Sequence, residues 1–338
     1  MEKIKLGIMG FGDMGRTLYR QCLEDERIEV VAISDIGRPE VLHYLLESHA
    51  KTEIDVKLDG KFLVSKNGKA RFINAITPAN VPWDALGADI VVDATGKYRS
   101  RKELEEHLES GAKRVIVSFL PSDEIDRIVV MGVNDHTMRS TDKLISPGSA
   151  TTNATALMLK MLDEAFGVEY ATFTAIHEYT ADQPLRDTAG LNFRRSRSAA
   201  KNIIPNFSPT PQWLPYVMPE FKGRVEGTAL NVPVPAGTLL DLNTFLIKEG
   251  VTTNDIHAAV QVFASKYPHI VKFEEEPIVS SDVIGDTHSV IYDKEAAMRS
   301  AGQMAKTMVW YHVAASLSAR IKELILAYNE IDLKGGAK

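Results

Sequence analysis

Gly7-Ile8-Met9-Gly10-Phe11-Gly12-Asp13-Met14-Gly15 stands near the N-terminus and decides how the first half of the chain is read. Lys5 to Gly7 continue an apolar strand pattern, Thr17 to Glu24 has helical periodicity, and Ile28 to Ser34 is a second apolar strand, so the glycines sit in a strand-to-helix turn. Glycines at 10, 12 and 15 allow a tight turn, a close backbone approach to a pyrophosphate, and close packing of helix on strand. Asp35 ends the second strand 20 residues after Gly15, where a dinucleotide-binding fold places the carboxylate that meets a ribose. Gly7, Gly10, Phe11, Gly12, Asp13, Met14, Gly15 and Asp35 are therefore candidate cofactor residues. Asp35 favours NAD by repelling a 2′-phosphate, whereas Arg38, three residues on, offers that phosphate a partner, so NADP stays open.

Outward from this unit the alternation continues. The run Ile90-Val-Val-Asp-Ala-Thr95-Gly96 continues the strand pattern, the stretch around Arg101 to Glu109 reads as a helix, Arg114 to Ser118 as a strand, and Arg127 to Val133 as another. Strands alternating with helices predict an α/β doubly wound parallel sheet. Thr95, Gly96 and Ser118, at strand ends, join the candidate cofactor residues. Beyond Asn153 a helix to about Phe166 precedes long strand-like runs at 170–177, 225–234 and 239–248, which predict an α+β second domain. The segment 304–328 reads as helical, and no repeat or low-complexity tract interrupts the chain.

The 338 residues are 44 % apolar and 25 % charged, enough for two packed cores. A net charge of −6 without a long run of one sign gives no footprint for nucleic acid. No apolar run reaches the roughly 18 residues of a membrane-spanning helix, and Met1-Glu-Lys-Ile-Lys-Leu leads straight into a strand without a signal-like region. A single cysteine, Cys22, excludes an internal disulfide framework and fits a reducing, cytoplasmic setting. Cys22 follows Leu18 by four positions on the apolar face of the first helix, as a core residue. The basic stretch Arg194, Arg195, Arg197 and Lys201 reads equally as a solvated or subunit-contact surface and as an anion site.

Three further motifs complete the pattern: Ser149-Ala150-Thr151-Thr152-Asn153, Thr174-Ala-Ile-His177-Glu-Tyr-Thr180-Ala-Asp182-Gln183, and Val279-Ser-Ser-Asp-Val-Ile-Gly-Asp-Thr-His288-Ser289. Together with the glycine loop, over residues 4 to about 325, the chain resembles the glyceraldehyde-3-phosphate dehydrogenase family, which includes the erythrose-4-phosphate dehydrogenases. The resemblance implies a Rossmann-type domain at 1–148, a catalytic domain at 149–313, and a helix at 314–338 returning to the first domain. It also implies a homotetramer acting on a small substrate, phosphorylated sugars included. In the family mechanism a cysteine thiolate attacks the aldehyde while a histidine moves the proton. His177 falls at the histidine's position; Ala150 falls at the cysteine's and cannot be a nucleophile. Ser149, Thr151, Thr180, Asp182, Arg195, Ser208 and Asn231 fall where the family lines its phosphate pockets.

Departures from the family pattern extend beyond Ala150. Asp13 and Met14 replace arginine and isoleucine, Ser208-Pro209 replaces threonine-glycine, Asn231 replaces arginine, Ile76 also departs, and Val313 stands where an asparagine would hold the nicotinamide amide. One altered nucleophile alone would suit an experimenter's trapping mutant; changes spread over several sites favour natural divergence. The sequence therefore predicts a redox enzyme without a thioester step, acting on a small aldehyde or related sugar, with two alternatives: a non-catalytic nucleotide-binding or regulatory paralogue, and a Cys-to-Ala trapping mutant of an active aldehyde dehydrogenase.

Overall fold

The structure, a computed structural model of the chain, describes residues 3–48, 54–190, 192–299 and 302–335. The chain divides into two compact units, one holding residues up to Val129, His136–Gly148 and everything from Ser318 on, the other Val130–Asp135 and Ser149–Leu317.

The first unit runs β1 (Ile4–Met9), α1 (Asp13–Leu23), β2 (Ile28–Ser34), α2 (Pro39–Ser48), β3 (Val56–Asp59), β4 (Phe62–Ser65), β5 (Gly68–Ile73), β6 (Ile90–Asp93), α3 (Arg101–Glu109), β7 (Arg114–Val117), β8 (Arg127–Ile128) and β9 (Leu144–Ser146). Its sheet has the order β3-β4-β5-β2-β1-β6-β7-β9-β8. From β5 to β8 every pairing is parallel, and the β3-β4-β5 edge is antiparallel. Every residue of β6 and β7 is buried, as expected where helices cover both faces of a parallel sheet. The strand order reverses at β1, and the crevice beyond the carboxyl ends of β1 and its neighbours is where such sheets bind ligands. The fold is thus a Rossmann-type sheet with an antiparallel edge.

The second unit contains α4 (Ala150–Phe166), β10 (Val168–Glu178), β11 (Ile204–Phe207), α5 (Thr210–Trp213), β12 (Val225–Val232), β13 (Thr238–Leu246), α6 (Thr253–Lys266), β14 (Val271–Glu274), β15 (Val290–Asp293), β16 (Met298–Arg299) and β17 (Met304–Tyr311). Seven strands follow the order β11-β12-β10-β13-β17-β15-β14, with β16 pairing β17 off this path. Helix α4 buries all but a few of its residues, including Thr151, Thr152 and Asn153, and is the central helix of this unit's core.

Two expectations fail. Residues 304–328 are not one helix: Met304–Tyr311 is a strand, and helix α7 begins at Val313 and runs to Gly335. Ala305, Thr307, Val309 and Tyr311 are buried while the residues between them are less so, a period of two that pairs antiparallel with β13. The helical expectation fails here because the apolar residues recur every second position. Likewise Arg127–Val133 is a strand only over Arg127–Ile128; from Val130 the chain turns, and the Asn134 side chain accepts the Val130 N–H at 2.8 Å. From Ser318, α7 belongs to the first unit, where Tyr328 donates to Asp142 at 2.9 Å and Asp332 pairs with Arg114.

Candidate functional site

In the first unit a cavity of about 300 Å³ opens at the carboxyl ends of β1, β2, β5 and β6. Gly10, Gly12, Asp35 and Thr95 stand in its wall, together with Met9, Ser34, Ile36, Ala75, Ile76, Ala94, Lys97 and Tyr98. The glycine loop is built for close approach. Gly10 has φ +89°, and a Cβ there would lie 2.8 Å from the backbone of both Ala94 and Thr95. A Cβ at Gly15 would meet the Gly10 carbonyl at 2.1 Å, so this glycine lets α1 press against the loop. Gly12 has nothing within 4 Å of its would-be Cβ, and as N-cap of α1 it gives the helix no side-chain cap. Asp35 braces the loop: its Oδ2 accepts the Phe11 N–H and its Oδ1 the Gly37 N–H, each at 2.7 Å.

The other candidate cofactor residues lie elsewhere. Gly7 makes room for Trp83, whose ring would sit 2.6 Å from a Cβ at that position. The Phe11 ring is fully buried edge-on to Tyr19 and Phe72, so only its backbone serves the loop. Asp13 is exposed in the first turn of α1, where the helix dipole favours a carboxylate. Met14 contacts Ser318 through its sulfur at 3.2 Å. Arg38 is exposed outside the cavity wall, Gly96 turns with φ +65°, and the Ser118 N–H donates to the Asp93 carbonyl at 2.9 Å. Cys22 is a buried core residue, and burial pushes its thiol up to about 12.

In the second unit Ala150 is the first residue of α4 and 5 % exposed. Ser149 caps the helix by accepting the Thr152 N–H at 3.0 Å, and Asn153 donates back to the Ser149 carbonyl at 2.9 Å. The Thr151 hydroxyl bonds to the Tyr311 hydroxyl at 2.8 Å. Tyr311 faces Thr238 across the β13–β17 ladder, and Thr238 donates to the buried carboxylate of Glu178, the residue after His177. Desolvation raises the Tyr311 phenol well above its ordinary value, so it remains a neutral hydroxyl. Two side-chain hydrogen bonds and one ladder pairing thus join the helix end bearing Ala150 to the strand end bearing His177. Sequence reasoning missed Tyr311 because 304–328 was read as helix, and passed over Glu178 and Thr238 because neither carries a motif by itself.

The His177 Nδ1 lies 2.7 Å from the Glu178 carbonyl. A carbonyl only accepts, so Nδ1 carries the proton and Nε2 is left as the acceptor of the neutral ring. Asn231, opposite His177 in the β10–β12 register, is 4 % exposed and committed: its Nδ2 donates to the Glu178 carbonyl at 3.0 Å, and its Oδ1 accepts from Asn206 at 3.1 Å. Arg195 is equally engaged, reaching Asp182 at 2.5 Å and Thr180 at 3.4 Å, while Thr180 donates to the other Asp182 oxygen at 2.5 Å. Burial works against the charged form of Asp182, but the Thr180 hydroxyl and the Arg195 guanidinium prevail and hold its carboxyl below the ordinary value. Ser208 is buried just before α5, accepting the Thr210 N–H at 3.4 Å, and Thr210 bonds to Thr152 of α4 at 3.1 Å. Thus Thr180, Asp182 and Arg195 form one cluster, Ser149, Thr152, Ser208 and Thr210 a second, and Asn231 belongs to the support of His177. No group of metal-ligating side chains gathers among the described residues.

Residues 4–101 match the model of the glyceraldehyde 3-phosphate dehydrogenase NAD binding domain, and residues 149–313 match that of its C-terminal domain. The chain is 38 % identical over 327 residues to the glyceraldehyde-3-phosphate dehydrogenase of Priestia megaterium (strain DSM 319 / IMG 1521), covering 95 % of this chain and 97 % of the relative. It is 37 % identical to glyceraldehyde-3-phosphate dehydrogenase 1 of Bacillus subtilis (strain 168) and 38 % identical to the glyceraldehyde-3-phosphate dehydrogenase of Geobacillus stearothermophilus, with the same coverage. With the glycine-loop crevice in one unit and the His177 strand in the other, this chain belongs to the glyceraldehyde-3-phosphate dehydrogenase family.

Proposed function

We propose that the protein is an NAD-dependent oxidoreductase acting on a small carbonyl compound or its alcohol without a thioester step. The observation that carries this reading is the contrast between a loop that needs glycine at positions 10 and 15, braced by Asp35, and a methyl group at the start of α4 where the family mechanism implied by the resemblance needs a thiol. Gly10, Gly12, Asp35 and Thr95 would hold the dinucleotide, whose nicotinamide supplies a hydride acceptor or donor when bound. His177, with Nδ1–H tied to a carbonyl, has Nε2 available to take a proton from an alcohol or an aldehyde hydrate. Glu178, Thr238, Tyr311 and Thr151 hold the framework around it.

NAD is preferred to NADP because Asp35 lines the cavity and Arg38 does not. The substrate is less anionic than a sugar phosphate, since Asn231 supplies no charge and Arg195 is neutralised by Asp182. A homotetramer is supported by Tyr170, Phe245 and Met304, which stand in register across β10, β13 and β17 and are 57, 38 and 45 % exposed. A cytoplasmic location fits the single reduced cysteine; no described helix is long and apolar enough to cross a membrane.

The test is a cofactor-linked absorbance assay of the unmodified chain with NAD and NADP against a panel of small aldehydes and alcohols, run beside Ala150→Cys with glyceraldehyde 3-phosphate and phosphate. Turnover of an unphosphorylated substrate by the unmodified chain supports the proposal. Dinucleotide binding without turnover of any substrate by either protein would sink it and leave a nucleotide-binding regulatory protein; turnover by Ala150→Cys alone, with glyceraldehyde 3-phosphate and phosphate, would sink it too and leave a cysteine-to-alanine form of an active aldehyde dehydrogenase.

A further inference from the structure

A line of buried hydrogen bonds runs from the hydrophobic core of the first unit to the cavity wall. Trp83, fully buried against Gly7, donates its Nε1–H to Nδ1 of His107 at 3.0 Å. His107 Nε2 lies 3.3 Å from Oδ2 of Asp93. Oδ1 of Asp93 takes both the backbone N–H of Thr95, at 2.8 Å, and its hydroxyl, at 2.6 Å. Trp83, His107 and Asp93 have no exposed surface, whereas Thr95 stands in the cavity wall.

The direction of every proton follows from the donor types. An indole nitrogen only donates, so Nδ1 of His107 must accept and cannot hold a proton. The ring proton is then on Nε2 and points at Asp93, whose carboxylate accepts on both oxygens. The Thr95 hydroxyl proton is thereby drawn inward, and its oxygen also accepts the Lys97 N–H at 3.1 Å. What Thr95 has left for the cavity is a lone pair.

We infer that Trp83, His107 and Asp93 are a positioning relay that fixes Thr95 as an acceptor at the dinucleotide cavity, so that this wall receives a ligand hydroxyl or amide N–H and not a phosphate oxygen. The inference rests on the cofactor reading above. None of the three relay residues touches the cavity; they act through Thr95. His107 lies on the inner face of α3, whose Ser100–Glu103 capping box fixes where that helix begins, and β6 ends at Asp93. The crevice is therefore joined to the core by polarity as well as by packing.

The relay predicts an ordering of variants that size alone does not give. His107→Gln keeps an acceptor for Trp83 and a donor for Asp93; His107→Leu keeps neither; Asp93→Asn is isosteric but turns a donor toward a histidine that can no longer accept. Fluorescence titration with NADH should find His107→Gln close to the unmodified protein, while His107→Leu and Asp93→Asn weaken binding about tenfold or more, as expected for one hydrogen bond to a charged or polar partner. Circular dichroism and thermal melts of each variant report folding separately. Nitrogen-15 shifts of the His107 ring in the unmodified protein give a readout independent of any variant, and the Nε2–H tautomer is expected.

Equal NADH affinity in a folded His107→Leu, or an Nδ1-protonated ring, overturns the relay while leaving the cofactor reading standing. Failure of the unmodified protein to bind either dinucleotide removes the cofactor reading, and the relay with it.

Discussion

Asn231 and Glu178 are joined by a 3.0 Å hydrogen bond from the Asn231 amide to the Glu178 carbonyl, the same carbonyl that fixes the ring of His177. The residue that would bring an arginine to a phosphate in the resemblance is here a strut beneath the proposed proton acceptor. Asn231→Ala removes this bond and the one from Asn206, leaving a buried carbonyl with one partner fewer. A loss of about 1–3 kcal/mol is expected in urea unfolding. Asn231→Arg should also destabilise, by forcing a longer charged side chain into a 4 % exposed position. A gain in phosphate affinity without loss of stability would contradict this account.

The glycine loop separates folding from binding. Gly15→Ala puts a methyl 2.1 Å from the Gly10 carbonyl and should destabilise strongly. Gly12→Ala meets nothing and has φ −68°, so the roughly 0.4–1 kcal/mol gained from a stiffer unfolded chain is offset by the poorer N-cap, and its melting temperature should change little. The same methyl projects beside the cavity, and NADH affinity should fall. Thermal melts and fluorescence titrations on the pair of variants check both halves.

Cys22 should resist alkylation in the native protein. With its thiol raised to about 12, the thiolate fraction at pH 8 is about one in ten thousand. Iodoacetamide labelling followed by mass spectrometry should be slow without denaturant and rapid in urea. The sign for stability follows: the neutral thiol's contribution is whole below its ordinary value of 9.0 and is lost as pH rises from there toward 12.

His288 should make stability depend on pH in the opposite direction from a carboxylate. Its Nδ1 faces Asp286 at 2.6 Å and its Nε2 faces the Pro268 carbonyl at 3.0 Å, so both nitrogens meet acceptors. The bond to Asp286 holds the ring's pKa above its ordinary 6.5, with burial opposing. Burial opposes the charged form of Asp286 too, but its bonds to His288 hold that carboxyl below 3.8. The histidine contribution is complete below about 6.5 and is lost as pH rises through the raised value; the aspartate contribution is present above about 3.8 and is lost on acidification. The melting-temperature gap between the unmodified protein and His288→Phe should be widest near pH 5 and narrow as pH rises past 6.5 through the ring's raised value. A gap independent of pH would show that His288 acts by packing alone.

The sequence alone determined the β1-α1-β2 unit at the centre of the first sheet, because a glycine loop, a following helix and Asp35 are local features whose spacing is fixed by backbone geometry; the antiparallel β3-β4-β5 edge and β9 carry no such local signal. Ile28–Ser34 was legible from periodicity to the residue, the run from Ile90 to Gly96 contains the strand Ile90–Asp93, and the helix around Arg101–Glu109 is where periodicity puts it. It also revealed that position 150 carries no nucleophile, since a side chain's chemistry does not depend on its surroundings. Tertiary structure alone decided that Met304–Tyr311 is a strand, because a short apolar run takes its period from its partner, here β13. It decided too which polar groups are spent: Asn231 on the Glu178 carbonyl, Arg195 on Asp182, and His107 between Trp83 and Asp93. These pairings join residues between 13 and 53 positions apart along the chain, and only burial, by making an unpaired polar group costly, selects one partner for each.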